Sequence, residues 1–363
     1  MTRTTRIGLV GTGWRLTPYL TVVDALPGEF EVVAALTRSE QSAARIGAER
    51  GIPASTSMAT FLAQGPLDFV LLSVPRDSAL PLAGALLDAG LPVLGETPIA
   101  AHTGELAPFV ARYGLDAPLQ SAEQYRLQPM HAARIAVARS GRIGQVHHVT
   151  ASFAHDYHAF SVIREVLRIG FEPVTVRAAE TIDRAVQPLG RDGWSADLTV
   201  GTDTRTVAQL QWTDRDLTAT YDFAGEQYFS PIRTRHIAIR GTHGELVDDR
   251  VHVIDRPGEP VTLPLTREQT GVDGDLQGFT LRAVRLGGET VWRSRVAPAR
   301  LADDEIAVAG VLRAMAAFVC GGAPFYGIAD AAEDLYLTEL VGRAVAAEGP
   351  VTGAERPWLN SRA

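Results

Sequence analysis

The sequence predicts an α/β chain in two parts: a doubly wound parallel sheet over residues 1–122, then an α+β region over residues 123–363 with an open, mostly antiparallel sheet. Three observations predict it. Strand-like and helix-like patterns alternate from Arg6 to Ala122, the signature of βαβ units. A glycine turn, Gly11-Thr12-Gly13, separates the apolar run Ile7–Val10 from a helical pattern beginning near Leu16. From Glu123 onward, short alternating runs dominate and helices become few.

Each element has its own warrant. Pro18 is acceptable in the first turn of the first helix. Phe30–Leu36 is β-branched and nearly uncharged, so it reads as a second buried strand. Ser39 caps the next helix, and Ser57 a short one. Asp68–Val74 is a third strand, Ser78–Ala89 a helix closed by Gly90, Leu91–Leu94 a strand, Thr103–Tyr113 a helix and Pro118–Ala122 a strand. In the second part, a helix is expected over Pro129–Arg139, a strand over Val146–Phe153 and a short helix over Phe160–Arg168. Strands are expected at Val174–Thr181, Leu198–Val200, Val207–Trp212, Leu217–Phe223, Arg235–Arg240, Glu245–Val247 and Val251–Ile254. Two helices close the chain, Asp303–Val319 and Asp330–Ala346, and Pro188–Gly193 reads as a surface loop.

Composition narrows the function classes. With 363 residues, 46% hydrophobic and 21% charged, the chain can bury two cores. The net charge is −8 and no Lys/Arg run occurs, which argues against nucleic acid or an acidic membrane as the main partner. A single cysteine, Cys320, rules out an internal disulfide and is expected to be a buried structural thiol. No apolar leader precedes the first strand and no segment is long enough to span a bilayer, so the expected location is the cytoplasm.

Strand, glycine turn, helix is the layout that sets a dinucleotide pyrophosphate on helix N–H groups. Gly11 would permit the turn, and Gly13 a close backbone approach to phosphate; Leu16 stands where a third glycine would serve helix packing. Ligands of doubly wound sheets sit beyond the carboxyl ends of the strands. That rule selects one rim: Gly11–Trp14 with Thr12 and the adjoining Arg15, Thr37–Arg38, Ser73-Val74-Pro75, and Glu96-Thr97-Pro98. At Thr37–Arg38 no carboxylate precedes Glu40, which favours NADP over NAD; alternatively Arg38 stacks on adenine or faces solvent. A turn that binds nothing is the bland reading of the whole stretch.

The motifs IGLVGTG, DFVLLSVP, GLPVLGETPIA, SGRIGQV, YHAFSVIREVL and HIAIRGTHGELV, in that order, resemble the Gfo/Idh/MocA (glucose–fructose oxidoreductase/inositol dehydrogenase) family. The resemblance implies an N-terminal Rossmann NAD(P)-binding domain and a C-terminal α+β domain that binds substrate and pairs subunits, here as a homodimer or homotetramer. It also implies hydride transfer to or from a sugar or polyol between the domains, and no metal. Three departures stand out. The family's Glu-Lys-Pro reads Glu96-Thr97-Pro98; Pro75 is followed by Arg76-Asp77-Ser78-Ala79 without the usual Asn/Asp and His; and Ala154 replaces an acidic residue four positions before the family's His, which aligns with His158.

Oxidising an alcohol needs a base for the hydroxyl proton, and imidazole suits neutral pH, so His158 is the candidate acid/base. If the segment is extended, Tyr157 shares a face with His155, and Asp156 shares one with His158 and can orient its ring. The bland alternative is a helix-start histidine bonded to backbone. Thr97 can donate one hydrogen bond but no positive charge. Gln124, Tyr125, Arg126 and Arg164 are candidates to stand in for the family's Lys, each with a domain-interface or solvated side chain as the alternative reading, and His155 is a further candidate substrate contact. His155-Asp156-Tyr157-His158 supplies too few convergent ligands for a metal. Besides the oxidoreductase, two readings stay open: a nucleotide-binding regulator without turnover, and chemistry in which bound cofactor cycles without net change.

Overall fold

The computed structural model describes residues 3–186, 193 and 197–359. All of Pro188–Gly193 except Gly193 lies outside the described residues.

The first part alternates as its pattern predicts: β1 (Thr5–Val10), α1 (Thr17–Ala25), β2 (Phe30–Leu36), α2 (Glu40–Arg50), β3 (Ala54–Ser55), α3 (Met58–Leu62), β4 (Phe69–Leu72), α4 (Arg76–Asp88), β5 (Val93–Gly95), α5 (Leu106–Tyr113) and β6 (Leu119–Ser121). All pairings are parallel, in the order β3-β2-β1-β4-β5-β6. Strand order therefore reverses between β1 and β4, which opens a crevice at their carboxyl ends. Ser39 and Ser57 accept hydrogen bonds from Ser42 N and Thr60 N, capping α2 and α3. Strand β3, two residues long, carries no readable pattern of its own.

The second part runs α6 (Pro129–Arg139), β7 (Val146–Ser152), α7 (Asp156–Leu167), β8 (Val174–Val186), β9 (Val200–Trp212), β10 (Leu217–Ala224), β11 (His236–Gly241), β12 (Gly244–Val247), β13 (Arg250–Arg256), β14 (Glu259–Gln269), β15 (Leu281–Leu286), β16 (Glu289–Arg293), α8 (Asp303–Val319), α9 (Ile328–Ala347) and β17 (Val351–Gly353). Among the described residues its eleven strands form one sheet, antiparallel except where β10 pairs with β7. Along β10, Leu217, Ala219, Tyr221 and Phe223 are buried, whereas Thr218, Thr220 and Asp222 face a wetter side.

Several expectations change. Leu198–Val200 and Val207–Trp212 are not two strands: β9 runs unbroken from Val200, because pairing along the whole of β8 holds the polar run Gly201–Thr206 extended, and Leu198 is 83% exposed outside it. The strands β14 and β16 escape sequence reading because their wet faces dilute the apolar pattern, and β15, though largely buried, is bracketed by them and is not among the expected strands either. The short helix begins at Asp156, not Phe160, so Asp156, Tyr157 and His158 form its first turn and the face parity of an extended segment does not apply.

Helix α8 lies against α1 and β4, and its Val308, Val311, Leu312 and Met315 share a core with Ile7, Leu9, Phe69 and Leu71 of the parallel sheet. A helix from the far end of the chain thus covers one face of the first sheet. Cys320 is exposed rather than buried, because it caps α8 beyond the last buried residue of that helix, Met315.

Gly11 and Gly13 differ physically. Gly11 has φ +103°, and a Cβ there would lie 2.0 Å from the Ser73 carbonyl oxygen; a Cβ on Gly13 would meet nothing within 4 Å. Gly11→Ala should cost roughly 2–3 kcal/mol and Gly13→Ala less than about 0.5 kcal/mol. Urea unfolding of both variants checks this, and equal costs would refute it.

Candidate active site

The glycine turn, the ends of β2 and β4 and the segment after β5 converge at the carboxyl edge of the parallel sheet. Gly11 N donates to Leu36 O and Ser73 N to Val10 O, which ties three of these segments together. The open space in front of Gly13 lies where α1 approaches through a short 3-10 turn, Trp14–Leu16. That cradle suits a pyrophosphate, since among the described residues nothing comes within 4 Å of a Cβ placed on Gly13 and the start of α1 adjoins it. Arg45 of α2, which sequence reading missed, donates from Nη2 to Thr12 O at 3.3 Å and braces the turn. Thr37 is buried with its hydroxyl on Ser39 O, whereas Arg38 is exposed. Ser73 and Val74 are half-buried, and Pro75 starts α4.

Glu96 is the polar hub of the rim. Its Oε1 accepts from Arg15 Nε at 3.1 Å and from the Tyr19 hydroxyl, and its Oε2 from Thr97 N at 3.2 Å. Arg15 continues to Asp304 at the start of α8, 3.0 Å away, and so joins the glycine turn to the far end of the chain.

Next to this rim His158 meets a carboxylate, and it is Glu123, not Asp156. The distance from Glu123 Oε2 to Nδ1 is 2.6 Å. Glu123 follows β6, while His158 sits in the first turn of α7, which points its ring at the same edge. Tyr125 N donates to Glu123 Oε1 at 2.9 Å, and the Tyr125 ring stacks on the imidazole at 4.2 Å. Asp156 is turned instead toward Tyr221, whose hydroxyl accepts from its N–H at 3.0 Å. Nε2 of His158 makes no hydrogen bond among the described residues. Burial pushes Glu123 up to about 8 and His158 down to about 3, because a charge on either group would lack water.

Beside the dyad, His155 Nε2 contacts the Tyr157 hydroxyl at 2.9 Å and His155 Nδ1 the Tyr228 hydroxyl at 2.6 Å. Arg76 of α4 lies over the Tyr157 ring, 5.8 Å from its centre. Burial lowers His155 to about 4 and raises Tyr157.

The remaining candidates are tied up in structure. Gln124 donates to Asp304 at 3.3 Å. Arg126 donates to Phe325 O at 2.7 Å and stacks on Tyr326. Arg164 is buried with its charge taken by Asp334 at 2.9 Å and Asp330 at 3.0 Å. Among the described residues, no group of three or more His, Cys, Asp or Glu could hold a metal ion. Glu123 was findable in the sequence, since it stands just past the carboxyl end of β6 and the strand-end rule reaches it; Tyr228, Asp304 and Arg45 arrive only through tertiary contacts.

Residues 5–112 match an oxidoreductase family with an NAD-binding Rossmann fold. The matched stretch, similar to the GFO_IDH_MocA model, spans the parallel sheet as far as α5. D-xylose 1-dehydrogenase (NADP(+)) 2 of Haloferax volcanii is 34% identical over 151 residues, covering 40% of this chain and 45% of that enzyme. The chain thus spans about half the length of the curated relative it matches. Among solved structures, an Agrobacterium radiobacter oxidoreductase in complex with NAD+, L-tartaric acid and magnesium superposes with a TM-score of 0.65 at 19% identity, covering 96% of this chain and 98% of that one. A putative myo-inositol dehydrogenase of Sinorhizobium meliloti gives 0.64 at 18% identity, covering 96% and 99%. These likenesses show a shared fold over nearly the whole chain.

His131 packs behind Tyr125 and against Phe153, with ring centres 4.3 Å apart for the latter pair. Burial holds it neutral, lowered to about 3, while the unfolded chain protonates it near 6.5. Its stability contribution is therefore complete above about pH 6.5 and lost as pH falls toward about 3. His131→Phe should flatten that acid loss, read as unfolding free energy against pH; an unchanged slope would refute the assignment.

Proposed function

We propose that the protein is an NAD(P)-dependent oxidoreductase that moves a hydride to or from a CH–OH group of a sugar, polyol or related hydroxylated small molecule. The observation that carries this reading is the Glu123–His158 dyad beside the strand-end rim. When bound, the nicotinamide supplies the hydride chemistry. Gly11, Thr12, Gly13, Trp14 and Arg15 line its phosphate turn, with Ser73, Val74, Pro75, Glu96 and Thr97 toward the nicotinamide end. Exposed Arg38 after β2, with no carboxylate beside it and the Ser39-capped start of α2 adjoining, suits the 2′-phosphate of NADP.

The dyad supplies the proton chemistry. With both protons present, the Glu123 carboxyl donates to Nδ1 and His158 carries N–H at Nε2, an acid. After one proton leaves, Nδ1–H donates to the carboxylate and Nε2 is a bare base. Burial favours the proton-rich form below about pH 8, the value set by Glu123. Alcohol oxidation, in which Nε2 takes the hydroxyl proton as hydride leaves carbon, should rise with pH through about 8; carbonyl reduction should fall through the same range. Tyr157, held by His155 and Arg76, and His155 itself provide hydrogen bonds for neighbouring hydroxyls.

The second reading, a cofactor-binding regulator without turnover, is favoured by Thr97, which brings no cation to the rim. Subunits would associate as a homodimer or homotetramer through the eleven-stranded sheet, which light scattering tests. NADPH should bind more tightly than NADH in a fluorescence titration, and Arg38→Ala should weaken NADPH about tenfold while sparing NADH. On a panel of sugars and polyols, His158→Gln should lower kcat by about 10²-fold or more without altering NADPH affinity. Tight NADPH binding with no turnover on any substrate would favour the regulator; no nucleotide binding would end both readings.

A further inference from the structure

Arg15 lies in the short turn that follows Gly13. Its guanidinium is mostly buried and clamped between Glu96 at 3.1 Å and Asp304 at 3.0 Å, with Nη2 enclosed and unbonded among the described residues. Asp304 also receives Gln124 at 3.3 Å and Gln128 at 3.4 Å, and Gln124 directly follows Glu123. The clamp thus ends one residue from the carboxylate that grips His158, and nothing in the chemistry above uses it.

We propose that Arg15 is a positioning residue that sets the acid–base balance of the Glu123–His158 dyad, its fixed cation favouring the form with Nε2 bare. The functional weight of this inference rests on reading that dyad as the acid and base of the site. Charges reach the dyad from every element around it. Arg15 disfavours the extra proton on both members, and Arg126 does so on Glu123. Glu96, Asp304 and Asp156 favour protonation of His158. Tyr125 N hydrogen-bonds Glu123 and stabilises its anion, while neighbouring His155 and Tyr157 are held neutral by burial. Removing Arg15 deletes a cation and leaves Glu96 and Asp304 unopposed, so both changes pull the proton onto the dyad. Removing the charge of Asp304 acts in the opposite direction. Because Arg15 belongs to the phosphate turn, the proton affinity of the site is wired to the place where the dinucleotide lies.

The test needs neither substrate nor cofactor. In protein labelled with 15N-histidine, the Nε2 signal of His158 reports the change from N–H to bare nitrogen between about pH 5 and about pH 10. Arg15→Gln should move that midpoint up by about one pH unit, Arg15→Lys should restore it, and Asp304→Asn should move it down. An unmoved or lowered midpoint in Arg15→Gln overturns the proposal. If that variant does not fold, a midpoint unmoved or raised in Asp304→Asn overturns it instead. NADPH binding by the wild type is measured separately, so failure of the oxidoreductase reading is distinguishable from failure of this one.

Discussion

Glu123 and His158 lie 2.6 Å apart in a region nearly closed to water, and that contact constrains everything around it. A buried carboxyl and a buried imidazole cannot both carry charge without compensation, so they share protons as a unit. The sharing requires Nδ1 to face the carboxyl, which leaves Nε2 as the nitrogen available to a ligand. Two distant pieces of chain must meet for this: the exit of the last parallel strand, and the first turn of a helix 35 residues further on.

The surrounding architecture holds that meeting in place. The parallel sheet provides a reversal of strand order and hence a crevice, and the segments after β1, β2, β4 and β5 form its edge. The eleven-stranded sheet carries α7 on one face and so presents His155, Tyr157 and His158 toward the crevice edge. Helix α8 then crosses back to cover the first sheet, and its opening turn delivers Asp304 to Arg15. The two parts are therefore joined by packing and by charge at the place where chemistry is proposed. Removing a charge from this seam is felt at the dyad, because little water is present to screen it.

Thr97 focuses the same point. A threonine gives one hydrogen-bond donor and no charge, so positive potential at this edge comes from arginines on other elements. Arg15 is neutralised by two carboxylates, Arg126 is engaged with Phe325 and Tyr326, and Arg76 leans on Tyr157. Arg164, also a candidate from the sequence, is held by Asp330 and Asp334 and serves packing between α7 and α9. A cation tied to partners acts through its field more than by direct contact.

Sequence alone determined the parallel sheet, the glycine turn, the strand-end rim and the candidacy of His158, because these depend on local periodicity and on the backbone freedom of glycine. It also placed Pro129–Arg139 and Asp303–Val319 to the residue, since both helices carry clear start and stop signals. Only the tertiary structure decided that Glu123 and not Asp156 grips the imidazole, that α7 begins at Asp156, that Gly201–Thr206 is strand and that Cys320 is exposed. Those outcomes turn on partners far away in the chain: a carboxylate 35 residues off, a neighbouring strand that supplies hydrogen bonds to a polar run, and a core that ends at Met315. Local pattern carries no information about such partners, because the energy that selects them arises only once the chain has folded back on itself.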